Sequence, residues 1–344
     1  MSMQVDGAYI EITSKCNMKC KQCYNDSEQR NNKFVTREEY VRTMKALVEH
    51  GCKIIVISGG EPLLHPDLTW MLESAHELGV EEIRVVTNGM LFLPEFAAKM
   101  KELGATLLIS MDGPTAETYG ILRDGRNFRR VKENVERYAK ECIVEFNLIM
   151  CKGNAETLVA MADFADQNGI RTINLLNLQC IGRATDFYDE VALDGAEMEK
   201  FRNAIVEIVN KYPGLSVKGS VNPFEGVHCR HLLRDRGMAH YLRIDSHGDF
   251  FPCDSSKCPI GKMTEEDPSG VFEKMASCAS REVRKKSVEL YGQCKNCEAR
   301  SVCSKGCPLM FEDQEQMKAY CEDFRRIYHK SRKAMETIAA VSMG

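Results

Sequence analysis

The first two thirds of the chain alternate between short apolar runs and longer amphipathic segments. Six runs rich in β-branched residues predict strands at 8–13, 53–60, 82–89, 105–113, 142–150 and 171–178. Near-continuous apolar sequence is what a parallel strand needs when both of its faces are buried. Helices fit between these runs, and three are predicted in particular, at Thr36–His50, Pro66–Leu78 and Ala196–Lys211. Thr36 and Glu39 have capping-box spacing, which marks the start of the first helix.

About six strand–helix units predict an α/β fold with a parallel sheet, either open or closed into a partial (β/α)6 TIM-like barrel. Such folds place their active sites at the carboxyl ends of the strands. The periodicity weakens after residue 212, and the glycine-, proline- and serine-rich segment 213–226 predicts a linker. We therefore expect a core at 1–212 and a small cysteine-rich domain at 227–344, closed by a helix over Glu322–Ala340.

Composition narrows the class of protein. The 344 residues are 44% hydrophobic and 28% charged, as in an ordinary globular protein, and the net charge of −4 gives no reason to expect nucleic acid or an anionic membrane as partner. The chain has no apolar run near the ~20 residues of a membrane span and no signal peptide at its start. These features predict a cytoplasmic protein.

Sixteen cysteines are the unusual feature, and many fall into tight clusters. Clustered cysteines in a chain without an export signal favour metal binding over disulfides. Cys16, Cys20 and Cys23 follow the first predicted strand with the spacing C-x3-C-x2-C. Three thiolates on one loop can bind three irons of a cubane and leave the fourth iron open to an external ligand. The alternative is zinc, although structural zinc sites normally have four protein ligands.

Three further motifs follow predicted strands in order: Ser58-Gly59-Gly60-Glu61-Pro62, Thr87-Asn88-Gly89 and Ser110-Met111-Asp112-Gly113. Together with the three cysteines they resemble the signatures of the radical SAM superfamily. The alternative interpretation is that these motifs are only turns beside a zinc site.

The resemblance implies that Cys16, Cys20 and Cys23 hold a [4Fe–4S] cluster, which reductively cleaves S-adenosylmethionine (SAM) to a 5′-deoxyadenosyl radical. It implies that the Gly59-Gly60-Glu61 segment holds the amino end of SAM, with Glu61 pairing to the ammonium group. The other SAM contacts that it implies are Asn88, Ser110 and Arg123, the last two for the ribose and carboxylate, with Leu178 as a candidate for the adenine. One position departs from the family: Gln22 stands before the third cysteine, where an aromatic residue is usual, and Tyr24 follows that cysteine.

A second field of cysteines lies in the last third of the chain. Its members are Cys229, Cys253, Cys294, Cys297, Cys303, Cys307 and Cys321, with Gly248 five residues before Cys253. This pattern resembles the seven-cysteine signature of the SPASM subfamily, whose C-terminal domain carries two auxiliary [4Fe–4S] clusters. The resemblance implies three clusters in all. Cys294, Cys297, Cys303 and Cys321 would hold one auxiliary cluster, and Cys229, Cys253 and Cys307 the other.

The second auxiliary cluster has one ligand too few. Asp235, Cys258 and Cys278 are candidates for the fourth ligand, and an open iron that binds a substrate thiolate is the other possibility. For the whole region the alternative is a zinc ribbon, because CxxC pairs are common zinc ligands.

Asp254 directly follows Cys253. In the anaerobic sulfatase-maturing enzymes, which this domain resembles, an aspartate at that point is the proposed base. A carboxylate beside a cluster could accept the proton released when a substrate radical is oxidised. The alternative is a turn-forming role, because Asp-Ser-Ser readily forms an Asx-turn.

SPASM relatives mostly modify peptides or proteins, so the resemblance implies maturation of a ribosomally made peptide by crosslinking or side-chain oxidation. Alternatives are sulfatase maturation to formylglycine, oxidation of a small molecule or tetrapyrrole, and a non-catalytic iron–sulfur electron carrier. A flavodoxin or ferredoxin would supply electrons. Only fifteen residues precede Cys16, so a peptide-recognition domain is expected to be a separate protein or absent.

Overall fold

The computed structural model describes residues 5–25, 32–219, 241–252, 259–263, 270–271, 315, 318 and 321–322. Ten strands lie in this part of the chain: β1 Gly7–Glu11, β2 Ile54–Ser58, β3 Glu82–Thr87, β4 Thr106–Ser110, β5 Ile143–Met150, β6 Thr172–Asn177, β7 Ser216–Lys218, β8 Tyr241–Ile244, β9 Asp249–Phe251 and β10 Gly261–Lys262. The α-helices there are α1 Arg37–Glu49, α2 Leu68–Glu77, α3 Pro94–Glu102, α4 Ala116–Gly120, α5 Phe128–Glu141, α6 Leu158–Gln167, α7 Tyr188–Val191 and α8 Gly195–Lys211.

All strands belong to one sheet in the order β10-β9-β8-β1-β2-β3-β4-β5-β6-β7. Neighbours from β8 to β7 are parallel, and only the β8–β9 and β9–β10 pairs are antiparallel. The predicted parallel α/β sheet with the open order of a partial barrel is therefore confirmed. All six predicted strands form, with boundaries within two residues of the predicted ones except at the carboxyl end of β4, where the strand ends three residues earlier than predicted.

The first helix shows how local sequence sets an element. The Thr36 hydroxyl accepts from the Glu39 N–H, and the Glu39 carboxylate accepts from the Thr36 N–H at 2.9 Å, so the predicted capping box is present. Tyr40, Met44 and Leu47 share the buried face of α1. This spacing of three to four residues turns the apolar side chains toward the sheet.

The strands separate an apolar face from a polar one. Ile55 and Ile57 of β2, like Phe146 and Leu148 of β5, are buried in the main core. On the opposite side, β5 and β6 carry polar groups that meet across the two strands, such as Glu145 with the Asn174 amide at 3.0 Å. We call the side of the sheet that carries Glu145 and Asn174 the inner face. Because successive strand side chains point in opposite directions, the same strands build both the core and a polar interior.

The predicted linker at 213–226 is partly wrong. Ser216–Lys218 forms strand β7, which pairs in parallel with β6, and Leu215 beside it is buried. The strand was missed because its three residues alternate around a single valine, too short a pattern to distinguish from a turn. Residues 220–226 lie outside the part described.

The predicted C-terminal domain is joined to the core by the sheet itself. β8 pairs in parallel with β1, with Tyr9 opposite Arg243, and β9 and β10 extend the sheet further. Weak periodicity after residue 212 therefore did not mean absence of strands. Of the predicted closing helix only Glu322 is described, in helical conformation.

None of the helices in the described ranges is long and apolar enough to cross a membrane.

Candidate active site

The predicted motifs meet at one edge of the sheet. β1 to β4 run parallel, so the cysteine loop after β1, the Gly59-Gly60 turn after β2, Asn88 after β3 and Asp112 after β4 all follow carboxyl ends at the same edge. This is where α/β folds with parallel strands place their active sites.

The cysteine loop and the double-glycine turn are bonded main chain to main chain. The Gly60 N–H donates to the Thr13 carbonyl at 2.7 Å, and the Glu61 N–H donates to the Lys15 carbonyl at 2.8 Å. A Cβ on Gly59 would collide with the Thr13 carbonyl oxygen, and one on Gly60 with that of Lys15. Glycine is required because side chains at both positions would push the two loops apart.

Glu61 ties this turn to the third motif. Its carboxylate is 1% exposed and accepts from the Thr87 hydroxyl at 2.7 Å and the Asn88 N–H at 2.8 Å. A third bond comes from the Leu63 N–H at 3.2 Å. Burial raises the pKa of Glu61 to about 7, against the opposing effect of these donors. The pairing of Glu61 with the ammonium group of SAM stays a prediction; in the structure its oxygens accept from these three donors.

Two predicted site residues contact the cysteines. Asn88 is 7% exposed, and its amide nitrogen lies 3.8 Å from the Cys16 sulfur and 2.8 Å from the Asn17 side-chain oxygen. Arg123, 9% exposed, has one terminal nitrogen 3.7 Å from the Cys20 sulfur. Both side chains thus reach the cysteine loop from other segments of the chain, and their predicted contacts with SAM stay predictions.

Asp112 orients Arg123. It is fully buried, forms an ion pair with the Arg123 Nε and accepts from the Ile149 N–H at 2.8 Å. Its main-chain carbonyl accepts from the Asn154 amide at 3.0 Å. The sequence showed Asp112 within a motif but gave it no role, because the partner lies eleven residues away and only folding brings the two together.

Arg183, in the loop after β6, was not predicted as part of the site. The Arg183 Nε donates to the Cys20 carbonyl at 2.9 Å, and the Arg183 N–H donates to the Cys23 carbonyl at 3.0 Å. Leu178, the candidate adenine contact, is 7% exposed just after β6, and Ser110 is half-buried at the end of β4. No sequence signal marks Arg183, since its contacts are with main-chain atoms of a distant loop.

The three thiols suit an iron–sulfur cluster. Burial raises the pKa of Cys16 to about 12, and the nearby Cys20 and Cys23 add to the rise. Burial also raises the pKa of Cys20, while the charge of Arg123 opposes it. Neighbouring buried thiols need a strong positive charge to ionise together, and a bound metal centre supplies one.

Within the described residues no group of three or more His, Cys, Asp or Glu side chains could hold a single metal ion.

Gln22 suits a bound nucleoside. Its side-chain oxygen is buried and has no hydrogen-bond partner in the part of the chain that the structure describes, and the residue is 7% exposed. A buried acceptor without a donor costs free energy, and the exocyclic amine of adenine is a donor that would satisfy it. The residue that departs from the usual aromatic therefore keeps a group suited to the same ligand.

Most of the other predicted site residues lie outside the described part of the chain. Cys321 is described and half-buried. Asp254, Asp235, Cys258 and Cys278 lie outside the described residues, as do six of the seven cysteines of the second field: Cys229, Cys253, Cys294, Cys297, Cys303 and Cys307. Their ligand assignments stay predictions.

Sequence relatives share part of this chain. A probable GTP 3′,8-cyclase of Methanococcus maripaludis (strain C5) is 30% identical over 164 residues, 46% of this chain and 55% of the relative. This chain thus spans about half the length of that relative. A probable GTP 3′,8-cyclase of Methanopyrus kandleri is 28% identical over 69% of this chain and 79% of its own length.

Solved structures match the fold over most of the chain. The structure of anSMEcpe with bound AdoMet has a TM-score of 0.74 at 18% identity, covering 97% of this chain and 99% of the other. SuiB of Streptococcus suis bound to S-adenosylmethionine has a TM-score of 0.68 at 17% identity, covering 92% of this chain and 77% of the other.

The family comparison agrees with the geometry of the site. The model of the radical SAM superfamily matches residues 10–165, which include the cysteine loop, the double-glycine turn, Asn88 and Arg123. The chain therefore carries a radical SAM domain at residues 10–165.

Proposed function

We propose that this protein is a radical SAM enzyme that oxidatively modifies a peptide or protein, with three [4Fe–4S] clusters and SAM as cofactors. The observation that carries the proposal is the joining of the cysteine loop to the SAM-type motifs of β2, β3 and β4 by buried hydrogen bonds. When bound, the first cluster and SAM supply a radical able to remove hydrogen from carbon.

The chain's own residues position and shield this chemistry. The Gly60–Thr13 and Glu61–Lys15 bonds fix the turn beside the cysteines, and Arg123 and Asn88 place nitrogens at the sulfurs of Cys20 and Cys16. N–H groups beside thiolates stabilise their negative charge. Asp112 and Glu61 are themselves buried, so their bonds to Arg123 and to the Asn88 N–H are shielded from water.

A peptide substrate is supported by two fold neighbours that have been solved with peptides. SuiB has been solved with the precursor peptide SuiA, at a TM-score of 0.67 to this chain, and anSMEcpe with the Cp18Cys peptide, at 0.71.

The inner face supports the same choice. Four cations of the described strands lie on it, and each meets a carboxylate: Arg84 and Lys218 approach Glu145 at 3.4 Å, Arg243 approaches Glu11 at 3.2 Å and Lys262 approaches Asp249 at 3.3 Å. A highly charged substrate such as a triphosphate favours cations without such partners. Paired charges and amides suit a peptide backbone better, because it carries no net charge.

The second candidate is cyclisation of GTP, favoured by the names of the sequence relatives. The experiment incubates anaerobically reconstituted protein with SAM and a reductant, adding either GTP or a synthetic library of cysteine- and serine-containing peptides. Peptide modification is expected to release 5′-deoxyadenosine in step with loss of two hydrogens from a library member. Consumption of GTP, with no peptide changed, would replace the proposal by the second candidate. The matched negative control is the triple variant Cys16→Ala, Cys20→Ala, Cys23→Ala, which lacks the ligands of the first cluster.

Asp254 is proposed as the base that accepts the substrate proton. Asp254→Asn should keep 5′-deoxyadenosine formation but slow product formation about 10²-fold, the usual worth of a general base. Unchanged product formation would leave it a turn former. Asp235→Ala separates a closed auxiliary cluster, whose spectrum it should perturb, from one with an open iron, which it should leave unchanged.

The same proposal gives the protein an external electron donor of the flavodoxin or ferredoxin type. Adding such a donor should raise the rate of product formation by the purified enzyme.

A further inference from the structure

Glu11 ends strand β1, five residues before the first cluster cysteine, and is fully buried. Its carboxylate accepts three hydrogen bonds from side chains: Asn25 Nδ2 at 2.7 Å, the Tyr24 hydroxyl at 3.1 Å and Arg243 Nη1 at 3.2 Å. Two of these donors are the residues that directly follow Cys23. The third lies on β8, more than two hundred residues along the chain.

Arg243 connects the hairpin formed by β8 and β9 to Glu11. It stands opposite Tyr9 in the β8–β1 pairing, and its guanidinium stacks on Phe251 of β9 at 4.1 Å. The side chain is 12% exposed, and its Nε is buried without a hydrogen-bond partner among the described residues. The guanidinium is therefore held mainly by Phe251 on one side and Glu11 on the other.

A carboxylate can accept from all three donors at once, because both of its oxygens are acceptors. An amide at position 11 would present a donor to at least one of them, and a buried donor facing a donor loses a bond without gaining one. A buried carboxylate in turn is costly unless it is fully paired. Glu11 thus depends on the loop and on the hairpin together.

Tyr24 connects Glu11 to the end of the cluster loop. The residue is 37% exposed, and its hydroxyl donates to the Glu11 carboxylate. The Cys23 carbonyl just before it accepts from the Arg183 N–H at 3.0 Å. The bond from Tyr24 to Glu11 and the bond from Arg183 to Cys23 therefore fix the end of the loop that carries the third cysteine.

We propose that Glu11 is a positioning residue for the end of the cluster loop that carries Cys23, and that Arg243 completes the set of hydrogen bonds to Glu11. The packing of the β8–β9 hairpin against β1 is then coupled to the geometry of the loop. This inference concerns the loop alone and does not depend on which substrate the enzyme modifies.

Hydrogen exchange of the cofactor-free protein tests the coupling directly. Two amides report on the loop: Lys21 N–H, bonded to the Leu122 carbonyl at 2.9 Å, and Arg183 N–H, bonded to Cys23. Glu11→Gln and Arg243→Met should each speed their exchange by about tenfold or more, since each leaves a buried polar group unpaired. Exchange in β4 and β5 should not change.

The matched control lies on β10, the strand that pairs with β9. Lys262 pairs with Asp249 at 3.3 Å and is 58% exposed, so Lys262→Met removes one positive charge without touching β1. It should leave both reporter amides as they are. Wild-type exchange in Glu11→Gln and Arg243→Met, or equal acceleration in Lys262→Met, would overturn the proposal.

A milder variant guards against global unfolding. Asn25→Ala removes one donor from the loop side and leaves the Arg243–Glu11 pair in place, so it should speed exchange at Lys21 and Arg183 while β8 keeps its protection. Asn25→Ala with wild-type exchange at both amides would also overturn the proposal.

Spectroscopy of the reconstituted protein adds a readout that general destabilisation would not move. The change that SAM causes in the spectrum of the reduced first cluster should be weakened in Arg243→Met, restored in Arg243→Lys, and normal in Lys262→Met. The double variant Glu11→Gln, Arg243→Met should lose less than the sum of the single losses, because it removes the buried charges together. Additive losses, or a normal response in Arg243→Met, would count against the coupling.

Discussion

The ion pair between Asp112 and Arg123 gives the sharpest test of how this site is built. Asp112 is fully buried and Arg123 is 9% exposed. Asp112→Ala would leave the guanidinium without its carboxylate and the Ile149 N–H, now bonded at 2.8 Å, without an acceptor. Removing one partner of a buried pair costs about 3–5 kcal/mol. That is a large share of the roughly 5–15 kcal/mol that stabilises a typical native protein.

The measurement is urea unfolding of the cofactor-free protein, followed by far-UV circular dichroism and by fluorescence. The chain has a single tryptophan, Trp70 on α2, so the fluorescence reports one place in the core domain. Taking a slope of about 2–3 kcal/mol/M, the transition midpoint should fall by roughly 1–2 M. Coincidence of the two signals is required before a free energy is assigned.

Two further variants make the result decisive. Lys53 and Glu81 form a pair of similar length, 2.7 Å, but are 59% and 62% exposed, so Lys53→Met should cost about 0–1 kcal/mol. The double variant Asp112→Ala, Arg123→Met should recover part of the loss, because no unpaired charge remains buried. If Asp112→Ala costs no more than Lys53→Met, the pair does not support the site as described.

Three other predictions follow from the same geometry. The triple alanine variant of Cys16, Cys20 and Cys23 should lose about four irons per chain and all SAM cleavage, as measured by iron analysis and 5′-deoxyadenosine assay; stoichiometric zinc in the wild-type protein would contradict this. Gln22→Leu should weaken SAM binding by about five- to tenfold, the worth of one hydrogen bond, while Gln22→Glu keeps the acceptor; equal dissociation constants for Gln22→Leu and wild type would show that the amide oxygen does not face SAM. The pKa of Glu61 rises on folding from 4.5 to about 7, so the folded apoprotein holds a proton there that the unfolded chain releases, and its stability should fall as pH rises across this window. Glu61→Gln should remove that part of the slope in unfolding curves from pH 5 to 8, and an unchanged slope would assign it to other groups.

Several features of the fold were readable in the sequence because they depend on neighbours along the chain. Six strands could be found from runs of β-branched residues, and the Thr36–Glu39 cap from a spacing of three. Strand β7 could not, since three residues around one valine carry too little pattern to separate a strand from a turn. Strands β8 and β9 were missed for a similar reason, and their pairing with β1 joins parts of the chain that are more than two hundred residues apart.

The site divides in the same way. Cys16, Cys20 and Cys23, the double glycine, Asn88 and Arg123 could be selected from the order of short motifs, because parallel strands bring their carboxyl ends to one edge. The inward orientation of Glu61 could not, since it depends on donors from β3 and from the turn after Pro62. Glu11 looked like an ordinary polar residue in a strand, and Arg183 like a loop residue.

Local spacing and residue type were enough to predict the strands β1 to β6, the order of the motifs and the chemistry of the three cysteines after β1. The tertiary structure alone decided the partners: Asp112 with Arg123, Arg183 with the cysteine loop, and Glu11 with both that loop and β8. The physical reason is that a buried charge is stable only where folding supplies its counter-charge and donors, and those come from segments whose separation along the chain carries no local pattern.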